Sequence, residues 1–220
     1  MPNIQGVYRY IVGGATVVLE PWEISQEDAD TWDITVDRIA ESGPKLSLKA
    51  KVGPQGSFFS FAFAPDGGND AVATAQYRTG KNGIEYRSPP DDKWRCQASA
   101  NYLFFPLMRL WMGPLVSTLA KRGWPAPVMV PSIKDPDDLE CLFAPLSSQR
   151  KAIEDPSRAG IFLYEGGEYA APIEVEIDPS GLMQRYQWQP RDSQLWECRL
   201  ELSKCAQAEL DVWTGVRAFL

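Results

Sequence analysis

Alternation of apolar and polar side chains with a period of two is the feature that most constrains this chain. Residues 31–36, TWDITV, place an apolar side chain at every second position, and residues 45–52, KLSLKAKV, repeat the pattern after the turn ESGP. Residues 57–65, SFFSFAFAP, set three phenylalanines on one face and small residues on the other. A period of two is that of a β-strand with one buried face. The chain must therefore bury one face of an extensive sheet.

Strand signals continue along most of the chain. Residues 6–20 read as strands around a double glycine, and Asn82-Gly83 is a strong hairpin signal. LECLFAPL, GIFLYEGG and APIEVEID read as later strands, and residues 182–202 read as a final hairpin. The pattern amounts to nine or ten strands without strand–helix alternation, which excludes a doubly wound nucleotide-binding fold. We expect a mainly β fold, a strongly curved antiparallel sheet forming a half-barrel or lipocalin-like barrel, with one or two short helices.

The middle of the chain is its most apolar region. Pro114 suits the first turn of a helix and Gly123 suits the end of one, so a short helix is predicted over 114–122. The following residues, GWPAPVMVP, contain too many prolines for a central strand and are predicted to be a loop across one end of the core. The C-terminal residues 204–220 fit a terminal helix better than a strand.

Two similar phrases suggest how the chain is organised. GVYRYIVGG begins at Gly6 and GIFLYEGG begins at Gly160, and each ends in two glycines. Neither belongs to a phosphate-binding glycine motif or opens a helix, so we interpret both glycine pairs as tight turns. We predict a single domain, 1–220, with pseudo-repeated halves of about 1–90 and 130–220 joined by the apolar, helix-containing segment.

The absence of histidine limits the chemistry that this chain can perform. Histidine is the commonest general base and a common metal ligand, and the sequence contains none. The four cysteines form no CxxC pair, and we expect reduced thiols rather than a zinc site. The acidic loops lack the ligand spacing of a calcium site. The sequence therefore predicts no metal and no cofactor, and any catalysis would use carboxylate, Tyr, Lys, Arg or Cys side chains.

The charge balance indicates which partners are unsuitable. The formal net charge is −7, which argues against a nucleic-acid surface and against an electrostatic membrane anchor. No apolar run approaches the roughly 18 residues of a membrane span, and the N-terminus does not have the pattern of a secretory signal. We expect a cytoplasmic protein without a membrane span. The sequence leaves the oligomeric state open.

Arg109 is the most informative candidate for a binding residue. It stands alone in the apolar stretch FFPLMRLWMG, where an unpaired buried charge would cost several kcal/mol. Arg109 either pairs with a core carboxylate, extends its guanidinium to the surface, or holds the polar head of an apolar ligand. Inward-facing aromatic residues of the strands would line the apolar part of such a pocket. The candidate ligand-binding residues are Tyr10, Phe61, Phe105, Arg109, Trp111, Tyr186 and Trp188.

Four short motifs carry a family resemblance. They are Y-x-Y-x-x-G-G near the N-terminus, A-x-Y in the meander, F-P-L-M-R in the middle, and D-x-x-G-L-x-x-R-Y late in the chain. Their order resembles that of bacterial proteins with a glycolipid-binding, half-barrel fold. The residues that carry the resemblance are Tyr8, Tyr10, Gly13, Gly14, Tyr77, Phe105, Pro106, Arg109, Asp178, Gly181, Leu182, Arg185 and Tyr186. The resemblance implies a curved sheet around an apolar groove and a lipid-like ligand, but no reaction.

Three functional hypotheses follow. The first is a module that binds an apolar or amphipathic small molecule in a groove or cavity of the sheet. The second is a cofactor-independent cyclase, isomerase or hydratase that acts on a polyketide- or terpenoid-like substrate in a lipocalin-like barrel. The third is a structural domain that binds a protein partner. A carboxylate with a raised pKa in an apolar cavity would favour the enzyme, and an open apolar groove would favour the carrier.

Overall fold

The computed structural model describes residues 3–28, 30–133, 139, 141–167, 169, 171–190 and 194–202. The first eight strands are β1 (Asn3–Val12), β2 (Ala15–Asp28), β3 (Thr31–Ala40), β4 (Lys45–Gly53), β5 (Gly56–Ala64), β6 (Ala73–Gly80), β7 (Gly83–Ser88) and β8 (Asp91–Ala98). The remaining strands are β9 (Leu103–Phe104), β10 (Ala126–Pro131), β11 (Pro145–Glu154), β12 (Ile161–Gly166), β13 (Ile173–Ile177), β14 (Met183–Trp188) and β15 (Trp196–Leu202). Between β9 and β10 lie a 3₁₀ turn (Arg109–Trp111) and helix α1 (Met112–Arg122). The predicted C-terminal helix lies outside the described residues.

All of these strands belong to one sheet with the order β8-β7-β6-β5-β4-β3-β2-β1-β15-β14-β13-β12-β11-β10-β9. Neighbouring strands are antiparallel, apart from the parallel pair β9–β10. The chain runs outward from β1 to β8, crosses to the opposite edge, and returns strand by strand until β15 pairs with β1. The prediction of a mainly β fold with a curved antiparallel sheet is confirmed, and the sheet is open, with β8 and β9 at its edges.

Contacts between distant strands show how strongly the sheet curves. The ring of Phe104, on edge strand β9, lies 4.8 Å from the ring of Phe59 on β5 and 4.8 Å from that of Tyr77 on β6. At about 4.8 Å per strand, a flat sheet would hold β9 and β6 roughly 55–60 Å apart. The Tyr77 hydroxyl also donates a hydrogen bond of 2.5 Å to the Phe143 carbonyl. The sheet is therefore rolled around a shared interior.

Helix α1 lies partly within this interior. Leu110, Met112, Val116 and Leu119 are fully buried in the core. Gly113 packs directly on the backbone of the turn between β13 and β14, where an added Cβ would lie 2.1 Å from the Gly181 carbonyl oxygen. The helix ends at Gly123, which has a φ of 74°. The helix predicted over 114–122 is confirmed, and it begins two residues earlier.

Two local predictions are wrong. GWPAPVMVP is not a loop, because its residues 126–131 form β10. β9 pairs with β10 only at Val128 and Met129, so the prolines at 127 and 131 lie outside the hydrogen bonds between these two strands. β10 therefore tolerates the prolines as an edge strand would. LECLFAPL is not a strand, because its central residues form a turn in which Phe143 has a φ of 64°, and β11 starts only at Pro145.

The glycine pair 13–14 lies in a turn, as predicted, and the pair 166–167 lies where β12 passes into a turn. Gly13 and Gly14 have φ values of 57° and 87° and join β1 to β2. Gly166 and Gly167, at φ 100° and 72°, end β12. These angles lie in the left-handed region that glycine adopts without strain. The pseudo-repeated halves and the single-domain organisation stay predictions.

The described helical residues include no segment with the length and apolar character that a membrane crossing requires. The cytoplasmic location stays a prediction.

Candidate functional site

A buried ion pair anchors the polar part of the interior. Glu20 of β2 is fully buried, and its Oε2 accepts hydrogen bonds from the Tyr10 hydroxyl at 2.6 Å and from Arg38 Nε at 2.9 Å. Its Oε1 accepts a hydrogen bond from the backbone N–H of Arg109. Arg38 Nη2 bonds to both Glu20 and the Leu107 carbonyl. Glu20 and Arg38 therefore hold the turn that leads into the 3₁₀ segment.

Arg109 extends from this turn into the interior. Its side chain lies among β1 and β14, with the guanidinium carbon 5.6 Å from the ring centre of Tyr10 and 5.1 Å from that of Tyr186. Nε donates a hydrogen bond of 3.0 Å to the Tyr10 hydroxyl. Arg109 is only 6 % exposed, and its Nη1 is buried without a hydrogen-bond partner in the part of the chain that the structure describes. One donor of a buried cation is therefore available.

Two tyrosine hydroxyls of the interior also have no partner, and one of them, that of Tyr186, belongs to a ring beside Arg109. Tyr186 and Tyr8 are fully buried, and neither hydroxyl has a hydrogen-bond partner among the described residues. Burial raises the pKa of both phenols well above the usual value, as it does for Tyr10, where Arg109 and Arg38 oppose the increase. These hydroxyls are therefore protonated at neutral pH and can each donate a hydrogen bond.

Two tryptophans, one on β14 and one on β15, extend the group of aromatic rings beside the arginine. The ring of Trp188 stacks on Tyr186 at 4.8 Å and meets the edge of Tyr10 at 6.3 Å. Trp196 lies 5.4 Å from Trp188, and both tryptophans are half-buried. The ring of Tyr169 lies 6.3 Å from that of Tyr186. The cluster thus passes from a buried cation through aromatic rings to the protein surface.

The remaining predicted site residues lie elsewhere in the interior. Phe61 contacts Tyr77 and Phe143, Trp111 lies 6.0 Å from Phe59, and Phe105 lies beneath the guanidinium of Arg150. The structure therefore brings together Tyr10, Arg109, Tyr186 and Trp188, but it places Phe61, Phe105 and Trp111 in neighbouring parts of the core.

Sequence reasoning missed three charged residues of the interior, which are Glu20, Arg38 and Arg150. Glu20 shares the buried face of β2 with Trp22 and Ile24, so an acidic residue at an inward position was a readable signal. Arg38 lies two residues after the buried Val36 and therefore on the same face of β3. Arg150 is 3 % exposed and donates to the Tyr164 hydroxyl at 2.5 Å, and its strand was not predicted.

The chemistry of the cluster favours binding over proton transfer. Both oxygens of Glu20 already accept hydrogen bonds from protein groups. Burial raises the pKa of the Cys198 thiol, which keeps that side chain protonated and unsuited to nucleophilic attack. Within the described ranges, no cluster of three or more Cys, Asp or Glu side chains is placed to hold a metal ion. The cluster does present donors, namely Arg109 Nη1 and the Tyr186 hydroxyl.

No protein-family model and no curated protein matches the sequence. Among solved structures, the chain is similar to a β-barrel-like protein of domain of unknown function DUF1849 from Brucella abortus, with 10 % sequence identity and a TM-score of 0.47. The alignment covers 93 % of this chain and 99 % of that one.

Proposed function

We propose that this protein binds an amphipathic small molecule, with the polar head of the ligand held at Arg109 and its apolar part among the aromatic rings of β14 and β15. The observation that carries the proposal is the unpartnered Nη1 of a buried arginine. A buried donor without a partner costs about 1–3 kcal/mol, and more when it is charged. A ligand that supplied an acceptor would remove this cost.

The charges of the cluster favour an acidic head group. Arg38 and Arg109 are positive and Glu20 is negative, so these three residues carry a net positive charge in a region of low polarity. The guanidinium group only donates hydrogen bonds, and protonated Tyr186 can donate one more. A carboxylate or phosphate accepts several hydrogen bonds at once and would neutralise the excess charge.

The aromatic residues supply the surface for the apolar part of the ligand. Trp188 and Trp196 are half-buried, so they are the members of the cluster through which a ligand would reach Arg109 from solvent. Starting from the arginine, the rings contact one another in the order Tyr186, Trp188 and Trp196. A ligand placed between them would exchange ring–ring contacts for ring–ligand contacts, so entry requires displacement of Trp188.

The carrier hypothesis is favoured over the cyclase, isomerase or hydratase by the state of the buried carboxylate. A general base needs a free oxygen, and Glu20 uses both of its oxygens to hold Arg38, Tyr10 and the backbone of Arg109. The predictions that the protein needs no cofactor and binds no nucleic acid stay predictions.

The test combines native mass spectrometry with binding of parinaric acid, a fluorescent long-chain carboxylate, and its methyl ester. The intact chain is expected to bind the acid more tightly than the ester, and Arg109→Met should reduce binding of the acid at least about tenfold, which corresponds to about 1.4 kcal/mol. Arg158→Met, which changes an exposed arginine, should not alter binding. Equal affinity for acid and ester, or unchanged binding by Arg109→Met in a folded protein, would contradict the proposal.

A further inference from the structure

Arg150 of β11 is a second buried arginine on the inner face of the sheet. The residue is 3 % exposed, and its Nε and Nη1 donate hydrogen bonds to the Ser148 hydroxyl at 3.1 Å and to the Tyr164 hydroxyl at 2.5 Å. The guanidinium carbon lies 5.6 Å from the ring centre of Phe105, and a Cβ added at Gly167 would be 2.9 Å from that carbon. All of these neighbours are neutral, so they fix the position of the cation without compensating its charge.

The buried charges of the described residues do not balance. The buried charged side chains among these residues are those of Glu20, Arg109 and Arg150. Glu20 forms its ion pair with Arg38, and across the described ranges no carboxylate lies within ion-pair distance of either buried guanidinium. A cation that has been removed from water is costly unless an anion compensates it. Arg109 and Arg150 can therefore each accommodate one acidic group.

Strand pairing places Arg150 toward the end of the sheet at which Trp188 lies. Trp188 on β14 and Tyr164 on β12 occupy equivalent positions along their strands, because β12 and β14 both pair with β13. Arg150 pairs with Gly166, which lies beyond Tyr164 toward the same end. A ligand that passes Trp188 on its way to Arg109 therefore enters at the end of the sheet where Arg150 lies.

A row of tyrosine rings connects the two buried arginines. The guanidinium carbon of Arg109 lies 5.1 Å from the ring centre of Tyr186. The ring of Tyr169 lies 6.3 Å from that of Tyr186 and 5.9 Å from that of Tyr164, whose hydroxyl accepts the hydrogen bond from Arg150. The surface between the two cations is therefore aromatic and suits an apolar ligand body.

We propose that the ligand of this interior carries two acidic groups, one at each end of an apolar body. One acidic group would lie at Arg109 and the other at Arg150, with the apolar body beside Tyr186 and Tyr169. The inference rests on the proposed function, because it adds a second head group to the ligand that Arg109 holds. A ligand with a single acidic group would leave one of the two buried arginines uncompensated.

Diacids and monoacids of equal chain length test this assignment by isothermal titration calorimetry. Dodecanedioic and tetradecanedioic acids are compared with dodecanoic and tetradecanoic acids. A second carboxylate disfavours entry into an apolar interior unless a cation receives it. At least one diacid should nevertheless bind about tenfold more tightly than its monoacid. Arg150→Met should remove this advantage and change monoacid binding less than about twofold, whereas Arg109→Met should weaken binding of both kinds of acid.

Hydrogen exchange of the parent protein gives a measurement that needs no variant to fold. The diacid should slow exchange in peptides that contain residues 147–152 more than the monoacid of the same length does. Arg9→Met removes an arginine from the outer face of β1, where Arg9 pairs with Glu201, and should leave the advantage of the diacid unchanged. Glu168 lies outside the described residues, and Glu168→Gln should also leave the advantage unchanged.

Failure of this inference can be distinguished from failure of the proposed function. If Arg109→Met leaves monoacid binding unchanged, the proposed function is wrong and this inference falls with it. If Arg109→Met weakens monoacid binding but neither diacid binds more tightly than its monoacid, only the second acidic group is wrong. An unchanged diacid advantage in folded Arg150→Met, or a larger one in Glu168→Gln, would also overturn the inference, the latter because Glu168 would then be the counter-charge of Arg150.

Discussion

Glu20 connects three parts of the interior through one buried carboxylate. Replacement by Gln keeps the size of the side chain but removes the charge that Arg38 and the Tyr10 hydroxyl contact. Two arginines would then remain in the interior without a counter-charge. We expect Glu20→Gln to lower the free energy of unfolding by about 3–5 kcal/mol, the range for breaking a buried ion pair. Urea denaturation followed by tryptophan fluorescence would measure the loss.

The control for that variant is an exposed ion pair on the same sheet. Glu201 of β15 bonds to Arg9, and their side chains are 54 % and 37 % exposed. Glu201→Gln should change stability by less than about 1 kcal/mol, because solvent screens such pairs. A similar loss in both variants would mean that Glu20 has no special structural role.

Asp155 offers a pH-dependent prediction at a single residue. Hydrogen bonds from the side chain and backbone of Ser157, with further help from Arg158, lower the pKa of Asp155 to about 2. A carboxyl group with a depressed pKa in the folded state stabilises the protein above its unfolded-state pKa, and the contribution disappears as the pH falls through the folded-state value. Asp155→Asn should therefore lower the Tm at pH 5–7, and this difference should shrink between about pH 4 and pH 2.

Asp92 provides the comparison for the pH profile. Its side chain is 97 % exposed and lies 3.5 Å from Arg87. The Tm difference caused by Asp92→Asn should be small across the same pH range. A loss for Asp155→Asn that persisted unchanged at pH 2 would show that its origin is not ionisation.

At the scale of single residues, sequence reasoning identified the cation and the aromatic rings around it, but it missed the counter-charge. Arg109 was recognisable because it interrupts an apolar run, and Tyr10, Tyr186 and Trp188 were recognisable from alternation. Glu20 obeys the same alternation, so its inward position was readable, but alternation does not show which cation pairs with it. That partner, Arg38, is 18 residues away, and the two meet because β2 and β3 are paired.

Among the elements, α1 depends on a close backbone approach that a helix pattern does not reveal. A Cβ at Gly113 would lie 2.1 Å from the Gly181 carbonyl oxygen and 3.1 Å from the Met183 nitrogen. Alanine favours a helix over glycine by about 1 kcal/mol, so propensity alone predicts a gain. We expect Gly113→Ala instead to destabilise the protein by about 1–3 kcal/mol, because the backbone atoms cannot move aside without separating α1 from the sheet.

Thermal and urea unfolding of Gly113→Ala should be compared with those of Ser117→Ala. Ser117 lies on the half-buried side of the same helix, and this change should be neutral or slightly stabilising through helix propensity. A gain in stability for Gly113→Ala would show that α1 does not pack on the turn between β13 and β14 as described.

Element prediction succeeded where side-chain periodicity was regular and failed where pairing decided the structure. β3, β4 and β5 have strict alternation and were predicted, as was the hairpin at Asn82-Gly83 that joins β6 to β7. β10 was missed because its prolines are unfavourable in a fully paired strand, and β9 supplies only two paired residues beside it. The sequence of β10 does not show that its neighbouring strand β9 is so short.

For the whole molecule, strand order was the information that the sequence lacked. The pairing of β1 with β15 joins residues almost two hundred positions apart, and β9 meets the inner face of β5 and β6 from the opposite edge of the sheet. No local pattern encodes either contact, because both depend on how far the sheet curves. The curvature itself was expected from the family resemblance, which implies a curved sheet around an apolar groove.

Tyr77 tests that curvature, because its hydroxyl joins β6 to the turn before β11. The hydroxyl donates to the Phe143 carbonyl at 2.5 Å, and both residues are fully buried. Tyr77→Phe should lower the free energy of unfolding by about 1–3 kcal/mol, because the carbonyl loses its buried partner. Tyr86→Phe, on the adjacent strand with its ring 5.0 Å from that of Tyr77, should have little effect.

Alkaline pH gives an independent measure of the same contact. Burial raises the pKa of Tyr77, so its contribution is complete below the unfolded-state pKa of about 10 and is lost as the pH rises toward the folded-state value. The free energy of unfolding of the parent protein, measured in urea, should therefore decrease from about pH 10 upward. The stability difference caused by Tyr77→Phe should decrease over the same range. If Tyr77→Phe and Tyr86→Phe were equally stable at pH 7, the hydroxyl of Tyr77 would not join the two parts of the rolled sheet.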